Sequence, residues 1–244
     1  MKTGRFYLQL TEAKRKKRCL FSVLVDPDKF VPGNYKNASK AGVSSFLVGG
    51  SLLSAASTEK CINDLKKSFK LPVLLFPGNA SQFHPNADGL FFLSLISGRN
   101  ADFLIGQHVH AAQSIRRSRM EVIPTGYMLI GGKQVSSAQY ISGTIPIPGD
   151  KFDIACSTAL AGELLGLRCI YLEGGSGAQE PVAAELIKRV ANTTELPVIY
   201  GGGIDSGKSA LAIARAGCSM IVVGNAIERN PKLLEEIGNA VEEI

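Results

Sequence analysis

The strongest constraint on this chain is a rhythm. Eight strand-length apolar runs recur along it, at Cys19–Asp26, Ser44–Gly50, Leu71–Pro77, Gly89–Ile96, Glu121–Ile130, Cys169–Glu173, Pro197–Gly201 and Ser219–Gly224. They are continuous rather than alternating, as expected of strands buried on both faces. Helical stretches are predicted between most of them, at Asn34–Ala41, Thr58–Ser68, Ala101–Arg117, Phe152–Leu165, Pro181–Asn192, Lys208–Ala216 and Pro231–Glu243. The link from Gly78 to Asp88 is short and carries Gly, Pro, Asn and Ser, so it reads as a loop. Repeated β-α units of this number predict an α/β fold, a (β/α)8 TIM barrel, with one outer helix weak or missing after strand 3. The expectation is one domain over residues 1–244. A doubly wound sheet would need a glycine fingerprint after its first strand, where the chain instead has Asp26-Pro27-Asp28-Lys29.

Length and composition support such a core. A chain of 244 residues buries roughly 70% of its surface without disulfides or a structural metal. Hydrophobic residues at 45% and charged residues at 20% exclude disorder, collagen and coiled coil. No apolar run approaches the roughly 18 residues of a spanning helix. No signal-type apolar core precedes the basic run Lys14-Arg15-Lys16-Lys17-Arg18, so a cytoplasmic protein is expected. Cys19, Cys61, Cys156, Cys169 and Cys218 lack C-x-x-C spacing and read as buried thiols in a reducing compartment.

The net charge of +6 allows anionic partners. Two clusters, Lys14 to Arg18 and Arg116-Arg117-Ser118-Arg119, read as solvated helix ends, with a membrane surface as the alternative. The chain has no Trp and no aromatics interleaved with these cations, which argues against a nucleic-acid partner.

Chemistry in a barrel sits on the loops after the strand ends. Three late strand ends are glycine-rich: Tyr171-Leu172-Glu173-Gly174-Gly175-Ser176-Gly177, Gly201-Gly202-Gly203-Ile204 and Gly224-Asn225-Ala226. Glycines let backbone amides approach an anion closely, so these loops predict a phosphate site. Gly202 to Ser209 also satisfies a nucleotide-loop pattern. It comes too late in the chain for that role, and Lys208 and Ser209 read as a helix start. Asp26, closing strand one, and Ser51, following strand two, are hard oxygen ligands on one rim and suit Mg2+. A turn and a helix cap are their structural alternatives, and Asp28 and Lys29 could add a second carboxylate and a phosphate partner. Glu173 could accept a hydroxyl proton, with Tyr171 on the same strand face. His84, His108 and His110 read as structural or surface residues. The apolar set Phe91, Phe92, Leu93, Leu95, Ile96, Phe103, Leu104 and Ile105 reads as core, or as a groove for a long apolar substrate.

Val25-Asp26-Pro27-Asp28-Lys29, Val48-Gly49-Gly50-Ser51, Ser97-Gly98-Arg99-Asn100, Pro124-Thr125-Gly126-Tyr127, Thr158 to Glu163, Tyr171 to Ala178, Gly201 to Ile204 and Val223-Gly224-Asn225-Ala226-Ile227-Glu228 follow one another as in a known family. From Asp26 to Glu228 the chain resembles the geranylgeranylglyceryl phosphate synthase family, which includes the heptaprenylglyceryl phosphate synthases. It looks most like the group shared by some archaea and Bacteroidetes-type bacteria. The resemblance implies transfer of a polyprenyl group, geranylgeranyl foremost, from its diphosphate to the C3 hydroxyl of sn-glycerol 1-phosphate, with Mg2+. It implies Asp26 and Ser51 at the metal. It implies Tyr171, Leu172, Glu173, Gly174, Gly175, Ser176, Gly177, Gly202, Gly203, Gly224 and Asn225 at the glycerol phosphate. Gly174 departs from the alanine common in the family. A dimer or hexamer of this chain would be family-like. Glu173 is then the candidate base, Tyr127 a ring facing the allylic cation, and the apolar set the polyprenyl groove. Two other readings make other predictions. A sugar-phosphate isomerase or aldolase on a similar barrel would lack a long apolar groove, and a basic membrane- or nucleic-acid-binding protein would not need the glycine loops.

Overall fold

The computed structural model describes residues 4–55, 57–131, 135–175, 178 and 181–244. Among the described residues nine strands form: β1 (Leu20–Val25), β2 (Val43–Val48), β3 (Val73–Leu75), β4 (Gly89–Leu95), β5 (Glu121–Gly131), β6 (Ile147–Pro148), β7 (Cys169–Glu173), β8 (Val198–Gly201) and β9 (Met220–Val223). All pair in parallel, in the order β1-β2-β3-β4-β5-β7-β8-β9, and β9 pairs back onto β1. That closes an eight-stranded barrel, as the sequence predicts. The short β6 only prolongs the end of β5, pairing with Ile130 and Gly131.

The helices are α1 (Arg5–Lys16), α2 (Thr58–Ser68), α3 (Gln107–Ser118), α4 (Ser137–Ser142), α5 (Phe152–Leu164), α6 (Ala184–Thr193), α7 (Gly207–Arg215), α8 (Asn225–Arg229) and α9 (Leu233–Glu242). A π-helical segment, Asp102–Gly106, leads into α3. After β3 only one 3-10 turn forms, Ala80–Gln82, so the expected gap in the outer ring is present. The helix predicted at Asn34–Ala41 does not form. Pro32 opens a 3-10 turn, Pro32–Tyr35, and single turns follow, with Ala38 N–H on the Tyr35 carbonyl at 2.9 Å. The remaining stretch is too short to repay helix nucleation, and only Tyr35, Ala38 and Ala41 are buried from it. The Gly-Lys-Ser stretch starts α7, where Ser206 and Ser209 form a reciprocal capping box.

Alternate residues of each strand face inward, since the side-chain period is two. The barrel interior holds Leu47, Leu74, Phe76, Phe91, Ile123, Cys169, Tyr171, Ile199, Met220 and Val222. The opposite faces pack under the helices around Val23, Phe46, Leu90, Ile170, Leu172 and Tyr200. Ser22 and Ser45 are buried and satisfy one another at 2.8 Å.

None of the helix ranges predicted from the alternation lies before Cys19, although the run Lys14 to Arg18 reads as a helix end. The structure puts α1 there, across the floor of the barrel. Phe6 and Leu10 join the interior cluster, and the Phe6 ring meets Phe91 edge-on at 6.1 Å. Glu121, at the start of β5, accepts the N–H of Phe6 at 3.0 Å and of Tyr7 at 2.8 Å, satisfying amides that a helix start leaves orphaned. Lys14 donates to the carbonyl of Thr194 at 2.7 Å. Both basic clusters end helices, as expected. Lys17 and Arg119 adopt the left-handed conformation at the ends of α1 and α3.

Candidate active site

The carboxyl ends of the strands surround two cavities that meet at Glu173. One is large, about 490 Å3, and the other small, about 70 Å3. Leu24, Glu173, Gly224 and Asn225 line both.

Glu173 ends β7 and points inward with Cys169 and Tyr171, four and two residues before it. It is only 7% exposed. Its carboxylate accepts the Gly175 N–H at 2.8 Å and the Tyr127 hydroxyl. Burial pushes it up to about 7, against the downward pull of those two hydrogen bonds. Rings pack beneath it: Tyr127 and Tyr171 at 5.4 Å, Phe76 and Tyr171 at 4.7 Å, Phe76 and Tyr127 at 5.9 Å. The expected pairing of Glu173 with Tyr171 on one strand face is present. Tyr127, from the neighbouring strand, is the residue that bonds the carboxylate.

Gly202, Gly203, Gly224 and Asn225 line the small cavity, together with Tyr171, Ile204 and Ala226. Gly202 and Gly203 hold φ of +106° and +68°, a region that side chains disfavour. A Cβ on Gly202 would stand 2.9 Å from the Gly175 amide nitrogen. Arg229 reaches the same cavity and was not anticipated. Leu172 reaches neither cavity. It alternates outward into the layer under the helices, and so can offer a ligand nothing but its backbone. Gly174 and Gly175 back the cradle against Gly202. Ser176 and Gly177 lie outside the described residues.

Across the mouth, Asp26 and Ser51 face the large cavity together. Asp26 caps the turn after β1 by accepting the Asp28 N–H at 3.1 Å. Its other oxygen lies 3.1 Å from the Lys29 ammonium, which is also 3.9 Å from Glu228. Glu228, half-buried, is pushed up mainly by burial and further by Asp26, while Lys29 pulls it down. Burial pulls the Lys29 ammonium down, but its bond to Asp26 and the nearby carboxylates outweigh that and raise it. Asp28 lines the same cavity, with its oxygens already engaged. Its oxygens take the N–H and hydroxyl of Ser54 and the N–H of Ala55. Glu228 stands on this rim as well. The donor set is hard oxygen throughout, one to two carboxylates and a hydroxyl, which fits an ion that keeps several of its waters. Among the described residues, no three His, Cys, Asp or Glu side chains form a closed metal cage.

Sequence reasoning missed Gln82. It is 3% exposed. Its amide donates to the Gly50 carbonyl at 2.7 Å and accepts the N–H of Gly78 at 3.1 Å and of Gly50 at 3.4 Å. It therefore fixes the backbone that carries Ser51. Composition gives no signal for this, because the partners come from two separate loops.

From this rim the large cavity runs outward as an apolar groove. Leu90, Phe92, Leu93 and Leu95 of β4 form one wall, and Phe103, His108, Ala111 and Ile115 of the following helical stretch form the other. The apolar set thus divides. Phe91 is barrel core, Phe92, Leu93, Leu95 and Phe103 line the groove, and Ile105 is exposed. Gln107 ties the groove's entrance together, accepting the Ala80 N–H at 2.9 Å and donating to Asp102 at 2.8 Å. His108 is buried against Phe92, at 4.4 Å between ring centres. Burial pushes its imidazole down, which favours the neutral form.

The structure also explains Gly174. The Tyr200 hydroxyl occupies the space a Cβ would need there, and it accepts the Val182 N–H at 2.7 Å. Gly174→Ala is expected to lower stability by about 1–3 kcal/mol through overpacking. Tyr200→Phe should remove most of that added cost, so a double-mutant cycle by thermal denaturation should give a clearly non-additive pair.

Comparison with known proteins gives a consistent set of relatives. The PcrB family matches residues 12–243. A geranylgeranylglyceryl phosphate synthase of Spirosoma linguale is 45% identical over 238 residues, covering 96% of each chain. That of Chitinophaga pinensis is 43% identical over 242 residues, covering 98% of this chain and 96% of its own. Among solved structures, the (S)-3-O-geranylgeranylglyceryl phosphate synthase of Thermoplasma acidophilum, in complex with its substrate sn-glycerol-1-phosphate, superposes with a TM-score of 0.91. It is 30% identical and fully covers both chains.

Proposed function

This chain belongs to the PcrB family and is a prenyltransferase of ether-lipid synthesis; we propose that it joins the C3 hydroxyl of sn-glycerol 1-phosphate to a polyprenyl diphosphate, geranylgeranyl diphosphate foremost, and does so with Mg2+. One observation carries the reading. A glycine-lined polar cavity and a long apolar groove open onto the same carboxylate, Glu173. A sugar-phosphate isomerase would have no use for the groove.

The small cavity takes the glycerol phosphate, with backbone amides around Gly203 and Asn225 facing the phosphate and Arg229 adding charge. The C3 hydroxyl then points toward Glu173. The groove takes the hydrocarbon chain, so that its diphosphate end lies at Asp26 and Ser51. These two residues would hold Mg2+, which when bound neutralises the leaving diphosphate. The reaction breaks the bond from prenyl C1 to the diphosphate oxygen and forms one from C1 to the glycerol C3 oxygen. The proton of the C3 hydroxyl passes to the Glu173 carboxylate. Phe76 and Tyr127, which line the large cavity, would offer rings to the carbon that becomes electron-poor, and the apolar walls would keep water out. The cationic clusters at the ends of α1 and α3 suit a transient stay on an anionic bilayer, where chain and product partition.

The test is to supply sn-glycerol 1-phosphate with polyprenyl diphosphates of increasing length and weigh the products. Ether products are expected with the unmodified protein. Ala111→Phe should fill the groove's far end and shift the product spectrum toward shorter chains. An unchanged spectrum would show that the chain lies elsewhere.

A further inference from the structure

We propose that Lys29 is an exchangeable cation of the metal rim: its ammonium holds the gap between Asp26 and Glu228 until Mg2+ takes that place, and then turns to the incoming diphosphate. The inference rests on the magnesium reading above.

Three observations carry it. The first is position. The Lys29 nitrogen is 3.1 Å from Asp26 and 3.9 Å from Glu228, so it bridges two carboxylates contributed by opposite ends of the chain. Their mutual repulsion requires a cation, and a dication arriving there makes the ammonium redundant. The second is freedom to move. The Lys29 side chain is 55% exposed, and its ion pairs with Asp26 and Glu228 both lie on this rim. Its flexible four-carbon stem can swing the charge without moving the backbone. The third is destination. Lys29 lines the large cavity with Asp26 and Ser51, where the diphosphate end of the substrate would arrive. A diphosphate brings more negative charge than one Mg2+ cancels, and an ammonium is a suitable second counter-charge. Asp28 also acts on the Lys29 ammonium through its charge, while its oxygens bond Ser54 and Ala55.

The exchange predicts opposite effects on two ligands, which a purely structural lysine would not produce. Calorimetric titration with Mg2+ alone should show Lys29→Met binding the ion about tenfold more tightly than the unmodified protein, because a competing cation is gone. Titration with inorganic diphosphate at saturating Mg2+ should show the same variant binding about tenfold more weakly, because a donor is gone. Lys29→Arg, which keeps the charge, should hold both affinities near those of the unmodified protein, and circular dichroism checks that each variant is folded. The proposal is overturned if Lys29→Met leaves Mg2+ affinity unchanged or lowers it, or if Lys29→Arg behaves as Lys29→Met does. Asp26→Asn separates the two ideas. Binding of Mg2+ that Asp26→Asn abolishes and Lys29→Met does not alter keeps the magnesium reading and removes the exchange. Absence of Mg2+ binding in the unmodified protein removes both.

Discussion

Glu173→Gln is expected to abolish turnover and raise stability at once. A positioned general base contributes on the order of 10²–10⁴ in rate, and glutamine cannot take up the C3 proton. Glutamine can, however, keep the hydrogen bonds of the site, its carbonyl facing the Gly175 N–H and the Tyr127 hydroxyl. The stability gain follows from linkage. The carboxyl is raised from its ordinary 4.5 to about 7 by burial. Below pH 4.5 it is protonated in both folded and unfolded chains and has no effect. As pH rises toward 7 the unfolded chain loses the proton first, so the folded state loses stability across that window. At 1.36 kcal/mol per unit the full loss at pH 8 is about 3 kcal/mol, and Glu173→Gln should recover most of it. Thermal denaturation at pH 5 and pH 8 checks this: the variant and the unmodified protein should differ little at pH 5 and widely at pH 8. In the unmodified protein, turnover should rise with pH through about 7, as the carboxyl becomes the ionised base. Near-normal turnover by Glu173→Gln would move the proton transfer to another group.

Gly202→Ala should disable the other half of the reaction. At a φ of +106° a Cβ is strained in any surroundings, and here it would also stand 2.9 Å from the Gly175 nitrogen. Strain of this type costs about 1–3 kcal/mol, and it is relieved only by opening the cradle. The KM for sn-glycerol 1-phosphate should therefore rise by roughly 10- to 100-fold, while the KM for the polyprenyl diphosphate stays near its starting value. Equal increases in both constants would place the phosphate elsewhere. The two variants are separable, because the first removes a proton acceptor and leaves the cradle intact, and the second does the reverse.

The barrel was legible because its strands are buried on both faces. Runs such as Cys169–Glu173 and Gly89–Leu95 therefore read as uninterrupted apolar blocks with glycine or polar ends. The gap after β3 was legible because Gly78 to Asp88 has too few helix formers to hide one. Local pattern failed at Asn34–Ala41, where turn geometry set by Pro32 outweighed a helical spacing. Within the site, Asp26, Ser51, Glu173 and the glycines end strands, and a barrel makes strand ends converge. Gln82 and Glu228 were invisible for the opposite reason. Each acts through partners distant in sequence, Gly50 and Gly78 for the first and Lys29 for the second. Leu172 faces away from the cavities that its neighbours Tyr171 and Glu173 line, so strand alternation leaves only its backbone to serve a ligand there.

The helix that closes the barrel floor also sets an order of assembly. α1 precedes every part of its seat in the chain, since its anchors are Phe91 on β4, Glu121 on β5 and the Thr194 carbonyl ahead of β8. A chain grows from its amino end at roughly 5–20 residues per second, so this helix leaves the ribosome long before its seat exists. It must wait as a loose amphipathic segment, with Phe6 and Leu10 uncovered, and dock only when the later strands have come round to meet it.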